Sequence, residues 1–217
     1  MEKFISLLSD TDLEVRKASL LMINAALRHH GYVLNENLKE NVIPRLFEAL
    51  EFKLERTVDL GPFKHTVDDG LPLRKSALLG IESILDGFPG KLDLILFMPK
   101  LIACLVDKDE LKMQAFQIIA KIRNFAPSVL VGCLDQFIEP FGKVISKKVA
   151  KEGQVGPEVE RAIELQRNAV KTITIINNIE DASINRRWQD FVESIRQKEG
   201  ISAMFTEIEL EKNNDQF

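Results

Sequence analysis

The chain has 217 residues, of which 45% are apolar and 29% charged, with a formal net charge of −4. That is enough apolar material for a continuous core in one large domain or one stretch of a repeat array. The acidic balance excludes bulk electrostatic binding to nucleic acid, which needs a basic face, and no run approaches the roughly 20 apolar residues that cross a bilayer.

The pattern along the chain is helical. The first apolar run, at 4–8, is too short for a signal peptide, and Asp10 and Asp12 follow at once. Met1 opens almost directly into a helix, so a piece of something longer is expected. Leu13, Val15, Ala18, Leu20, Leu21 and Ala25 recur at helical spacing. Asp10 or Asp12 can cap that helix and Gly31 can end it. A helix over 36–53 follows, with Leu38, Val42, Leu46, Ala49, Leu50 and Leu54 on one face and Pro44 as a kink. A third over 72–86 stops at Gly87. Residues 91–106 are bent at Pro99, 110–125 end at Ala126-Pro127, and 127–145 carry a kink site at Pro140. The helix over 157–178 opens with proline in its first turn, where the missing N–H costs nothing. A shorter helix covers 184–197, and 209–217 is expected to be a polar, disordered tail.

Helices joined by short connections call for a search for repeats. Val15-Arg16-Lys17-Ala18-Ser19-Leu20 resembles Leu73-Arg74-Lys75-Ser76-Ala77-Leu78. It also resembles Leu111-Lys112-Met113-Gln114-Ala115-Phe116 and Leu165-Gln166-Arg167-Asn168-Ala169-Val170. Each stretch has an aliphatic residue, polar positions, a small residue and a bulky apolar one, and each is placed at a helix start. The intervals are 58, 38 and 54 residues. A HEAT or armadillo unit is roughly 40. The middle interval is one unit, and the others are a unit plus an insertion, near 56–70 and 147–157. The expected fold is all-α, an α-α superhelix of HEAT/armadillo-type repeats over 1–208 with a β-hairpin insertion. A non-repetitive helical bundle is the alternative. Stacks of this kind are scaffolds far more often than catalysts.

The insertion breaks the helical rule. Thr57, Val58, Asp59, Leu60, Gly61, Pro62, Phe63, Lys64, His65, Thr66 and Val67 alternate, are rich in β-branched residues and carry Gly-Pro at the centre. With Gly61-Pro62 as the loop, Leu60 faces Phe63, Asp59 faces Lys64, Val58 faces His65, and Thr57 faces Thr66. One face is then apolar (Leu60, Phe63, Val58 and the His65 ring). The other holds a Thr–Thr pair and an opposite-charge pair. An isolated hairpin is marginal in water. It either covers the end of a helical pair or protrudes and buries its apolar face in a partner.

Other residues suit plainer roles. His29 and His30 lack further ligands at metal spacing and suit the end of a helix dipole. His65 with Asp68 and Asp69 has no second histidine, phosphate loop or nucleophile elbow beside it. Asp68-Asp69-Gly70 reads as a turn and cap for the next helix. Lys147, Lys148 and Lys151 form a small basic cluster that suits a solvated loop. Arg186-Arg187-Trp188 suits packing of the last helix. Cys104 and Cys133 lie in apolar patterns and fit a reducing compartment, cytoplasmic or nuclear. The chain is therefore read as no enzyme, with no cofactor and no metal.

Leu60-Gly61-Pro62-Phe63-Lys64-His65-Thr66-Val67-Asp68-Asp69-Gly70-Leu71, followed by Arg74-Lys75, resembles the C-terminal region of the cullin-associated, neddylation-dissociated proteins, also called TATA-binding-protein-interacting proteins. Weaker agreements extend over roughly 12–176. The resemblance implies a regulatory scaffold that wraps a cullin–RING ubiquitin ligase. Its C-terminal repeats clasp the N-terminal region of the cullin, and its hairpin competes with the substrate-receptor adaptor, promoting receptor exchange. Thr57 to Gly70 then becomes the adaptor-displacing hairpin, with Leu60, Pro62, Phe63 and His65 at its tip. The alternatives are a transcription-associated scaffold that binds the TATA-binding protein and a structural repeat subunit of a larger complex.

Overall fold

The computed structural model describes residues 2–59, 61, 64–147 and 156–214. The chain falls into two compact units, Met1–Lys100 and Leu101–Phe217.

The first unit begins with α1 (Glu2–Ser6) and α2 (Leu13–His30). Asp12 caps α2, its Oδ1 accepting from the Glu14 N–H at 2.8 Å and the Val15 N–H at 3.4 Å. The expected helix over 36–53 is two pieces. A π turn, Leu38–Val42, leads into α3 (Ile43–Glu51), and Pro44 sits in the first turn of α3. The helix type changes where the proline cannot donate, so no mid-helix kink forms. Because α3 stops at Glu51, Leu54 falls outside the buried face and is 44% exposed. Leu38, Val42, Leu46, Ala49 and Leu50 are buried as the periodicity predicts.

Strands β1 (Glu55–Asp59) and β2 (Lys64–Asp68) follow, then α4 (Leu71–Gly87) and α5 (Leu94–Cys104). Helix α4 packs on both α2 and α3. Leu20, Ile23, Leu46, Ala77, Leu78, Ile81 and Ile84 are fully buried in this unit. Asn24 of α2 ties the pair, its Nδ2 donating to the Ser76 carbonyl at 2.8 Å. Phe47 of α3 stacks on Phe97, with ring centroids 6.0 Å apart.

The second unit contains α6 (Asp109–Phe125), α7 (Pro127–Val131), α8 (Leu134–Ser146), α9 (Pro157–Asn177), α10 (Arg186–Arg196) and α11 (Ile201–Asn214). The helix expected over 127–145 is broken at Gly132-Cys133, and Pro140 is accommodated inside α8. Cys133 is consequently half-buried at a turn, while Cys104 is buried. Burial still pushes the Cys133 thiol above its ordinary value. Helix α9 packs against α6, α8 and α11. Phe116, Phe137, Phe141, Trp188 and Phe191 form a continuous aromatic chain with centroid spacings of 5.6–6.5 Å.

Helix α11 is the element the sequence reading left out, and it runs through the boundary expected at 209. Ile201, Phe205 and Ile208 recur at helical spacing and are buried. Exposed ion pairs line the other side: Arg196 to Glu209 at 2.7 Å, and Arg167 to Glu207 and Glu211 at 2.8 and 2.5 Å. Each contributes about 0.2–1 kcal/mol. The last three residues, 215–217, lie outside the described residues.

The four repeated stretches explain themselves in the core. Their fifth and sixth positions (Ser19-Leu20, Ala77-Leu78, Ala115-Phe116 and Ala169-Val170) are buried. The first positions Leu73, Leu111 and Leu165 are buried too, and Val15 is half-buried. The small fifth residue lets a neighbouring helix approach. In three of the four stretches the polar second position reaches back to carbonyls at the end of the preceding helix. Arg16 Nε donates to the Leu8 carbonyl at 3.1 Å, and Arg74 Nη1 to the Phe52 carbonyl at 3.0 Å. Gln166 Nε2 donates to the carbonyls of Lys147 and Ile145 at 2.8 and 3.2 Å. Carbonyls at a helix end have no partner within the helix, so these side chains cap one helix from the next. Leu165 is not at a helix start, because α9 begins two turns earlier at Pro157. The all-α class with a hairpin insertion holds.

Candidate functional site: the hairpin and its root

The strands pair antiparallel in the expected register: Thr57 with Thr66, Val58 with His65, and Asp59 with Lys64. Pairing continues further, to Arg56 with Val67 and Glu55 with Asp68. Gly61 has a φ of 83°, as a glycine at the turn requires, and its N–H donates to Asp59 Oδ1 at 3.1 Å. Thr57, Asp59, Lys64 and Thr66 are exposed, while Val58 and Val67 on the opposite face are half-buried. Leu60, Phe63 and the His65 side chain, which complete the expected apolar face, lie outside the described residues, as does Pro62 of the expected loop.

The root of the hairpin is built differently from the strands. Asp68, read from sequence as a turn or cap residue, is the last residue of β2 and a buried ion-pair partner. Its carboxylate takes both arms of the Arg74 guanidinium, Oδ2 from Nη2 at 2.7 Å and Oδ1 from Nη1 at 3.2 Å. The side chains are 1% exposed for Arg74 and 5% for Asp68. Arg74 stands in the first turn of α4, and its Nη1 also holds the Phe52 carbonyl where α3 ends. Asp68 Oδ1 additionally accepts from the Gly70 N–H at 3.1 Å. Gly70, not an aspartate, is the N-cap of α4.

Two further ties close the root. The Asp69 N–H donates to the Leu54 carbonyl at 2.8 Å, and Arg56 pairs with the Asp69 carboxylate at 2.5 Å. The hydrogen bond and charge of Asp69 raise the Arg56 guanidinium above its already high ordinary value. The two legs approach so closely that a Cβ on Gly70 would fall 2.8 Å from the Phe52 oxygen and 3.0 Å from the Leu54 nitrogen. Both are backbone atoms and cannot rotate away. Gly70→Ala is expected to cost about 1–3 kcal/mol by overpacking. Urea denaturation gives the loss, and faster amide exchange at Thr57 and Thr66 locates it; an unchanged midpoint would show that the legs can part freely.

The other candidates end in ordinary structural roles. His29 and His30 are exposed in the last turn of α2. No group of three or more His, Cys, Asp or Glu among the described residues could hold a metal ion. Lys148 and Lys151 lie outside the described residues, and Lys147 stands 3.7 Å from Asp109. Burial acts to raise the Asp109 carboxyl, but the Lys112 hydrogen bond and the charges of Lys112 and Lys147 outweigh it and hold it low. Trp188 is fully buried, its Nε1 donating to Asn177 Oδ1 at 3.2 Å, and Arg187 pairs with Asp135 at 2.7 Å. A cleft of about 380 Å³ is lined by Leu27, Arg28, Leu79, Glu82, Ser83 and Asp86, and within it the Ser83 hydroxyl donates to the Leu79 carbonyl at 3.0 Å. No described helix is long and apolar enough to cross a membrane.

Sequence reasoning found the strands and missed the root. The repeat alignment put Arg74 at the same position as Arg16 and Gln166, but that these side chains cap a preceding helix, and that Arg74 also meets Asp68, appears only in the structure.

Comparison with known proteins places the hairpin in a family. Residues 33–196 match the TIP120 family model, described as TATA-binding protein interacting (TIP20). Cullin-associated NEDD8-dissociated protein 2 of Mus musculus is 32% identical over 95% of this chain and 17% of its own length. Cullin-associated NEDD8-dissociated protein 1 of Drosophila melanogaster is 31% identical over the same shares. The C-terminal part of protein 1 from Emericella nidulans is 27% identical over 95% of this chain and 20% of its own length. The chain thus spans about a sixth of the first two relatives. Among solved structures, an engineered protein superposes with a TM-score of 0.51 at 15% identity, covering 95% of this chain and 75% of that one, a likeness of fold alone. With three quarters of its length inside the family match, which includes the hairpin, the chain belongs to the cullin-associated NEDD8-dissociated protein family and represents its C-terminal TIP120 region.

Proposed function

We propose that this chain is the cullin-clasping end of a non-catalytic scaffold, and that its hairpin competes with the substrate-receptor adaptor for the N-terminal region of a cullin. One observation carries the reading: a two-stranded hairpin stands with its polar face exposed, yet is held by a buried ion pair at its root. A loop that only bridges two helices needs no such anchor. The family names supply the partner, since the relatives are cullin-associated. Residues Thr57 to Val67 make the contact, with Leu60, Pro62, Phe63 and His65 at the tip.

The test is a pull-down with a purified cullin–RING core, with and without bound adaptor. Binding is expected to fall when adaptor is present, and binding indifferent to adaptor would sink the competition model. Phe63→Ala is expected to weaken binding about tenfold, the range for truncating one buried aromatic anchor, without changing the far-UV circular dichroism. Unfolding by this substitution would instead place Phe63 in the core. The family description also names the TATA-binding protein. A parallel arm with that protein separates the readings, because binding there that survives the Phe63 substitution would need a different surface.

A further inference from the structure

We infer that Arg74 is a positioning residue for partner binding: its guanidinium sets the direction in which the hairpin leaves the helices, so the tool is presented preset. The inference rests on the cullin-binding reading for its partner, while the rigidity it asserts stands on geometry. A free two-stranded hairpin is marginal in water, and here the described residues of its polar face are exposed. Beyond the half-buried Val58 and Val67 of the opposite face, what fixes its direction acts at the legs.

Both legs meet at one side chain. The outgoing leg is gripped at the Phe52 carbonyl, 3.0 Å from Arg74 Nη1. The returning leg is gripped at the Asp68 carboxylate, by two bonds of 2.7 and 3.2 Å. A guanidinium is planar, with donors in a fixed fork, so it fixes angle as well as distance. It projects from the first turn of α4, a helix packed on both α2 and α3. The hairpin thereby inherits the orientation of that helix. A preset element loses less freedom on binding, which raises affinity without adding a contact.

Removing the guanidinium alone would strand a buried carboxylate and threaten the fold, so the decisive variant replaces both partners with apolar residues, Asp68→Leu with Arg74→Met. Buried ion pairs replaced in this way often lose little stability. The full chain carrying both changes is expected to keep its helical signal and melting midpoint. Its Thr57, Lys64 and Thr66 amides should exchange about tenfold faster, and its affinity for an immobilised cullin N-terminal region should fall about tenfold, as expected when a preorganised element is released. Arg74→Lys keeps the charge but not the fork, and the same two readouts should move if the double variant does not fold. Unchanged hairpin protection, or binding within about twofold of the parent chain, overturns the inference. A chain shortened at 60–63 is the control. If shortening also leaves binding unchanged, the hairpin's cullin-binding role fails. If shortening weakens binding while the Arg74 variants do not, only the positioning inference fails.

Discussion

Trp188→Ala is expected to destabilise the second unit by about 3–5 kcal/mol, the range for emptying a large aromatic site in a core. Trp188 is fully buried, and its ring lies 6.5 Å from that of Phe141 and 5.6 Å from that of Phe191. Phe141 in turn stacks on Phe116 at 5.8 Å, so one cavity would loosen α6, α8 and α10 together. Trp188→Phe separates volume from hydrogen bonding. Asn177 Oδ1 would still accept from Gln189 Nε2 at 3.0 Å, so no buried acceptor is stranded, and the cost should stay near about 1 kcal/mol. Urea denaturation followed by far-UV circular dichroism gives both values, since the fluorophore itself is removed. A loss below about 1 kcal/mol for the alanine variant would mean that α10 is not held by this cluster.

Arg74→Met as a single change is expected to cost about 3–5 kcal/mol, whereas the double change with Asp68→Leu should cost far less. The single change leaves the Asp68 carboxylate, 5% exposed, without its cationic partner, and the Phe52 carbonyl without this donor. The large figure measures the stranded charge, and the net contribution of the pair is smaller. A double-mutant cycle isolates the coupling. If the single and double variants are equally destabilised, the carboxylate finds solvent when its partner goes, and the root is less closed than its burial indicates.

Much of this molecule could be read along the chain. Helical spacing identified α2, α4, α6 and α9, because a packed helix must repeat its apolar residues every three to four positions whatever it packs against. Alternation and Gly61 were enough to place the strands in register, since cross-strand pairing follows from where the turn lies. Other features depended on competition between neighbours. Pro44 starts α3 after a π turn, and the break at Gly132-Cys133 divides a run that looks continuous. Periodicity does not report where a helix stops when both sides of the stop carry apolar residues at compatible spacing. Helix α11 was hidden because Glu207, Glu209 and Glu211 make the segment look like a solvated tail. Among its described residues, the buried ones are Ile201, Phe205 and Ile208.

The hairpin shows the division most clearly. Its existence, its strand pairing and the glycine at its turn were determined by the local sequence, where short-range sterics and alternation suffice. What holds it was decided only by tertiary structure. Phe52, Asp68 and Arg74 are separated along the chain by a helix end, a hairpin and a turn, and nothing in their spacing marks them as partners. They meet because α4 packs on α3 and brings its first turn beneath both legs. Burial then turns an ordinary aspartate and arginine into a fixed joint, because two charges out of water must satisfy each other.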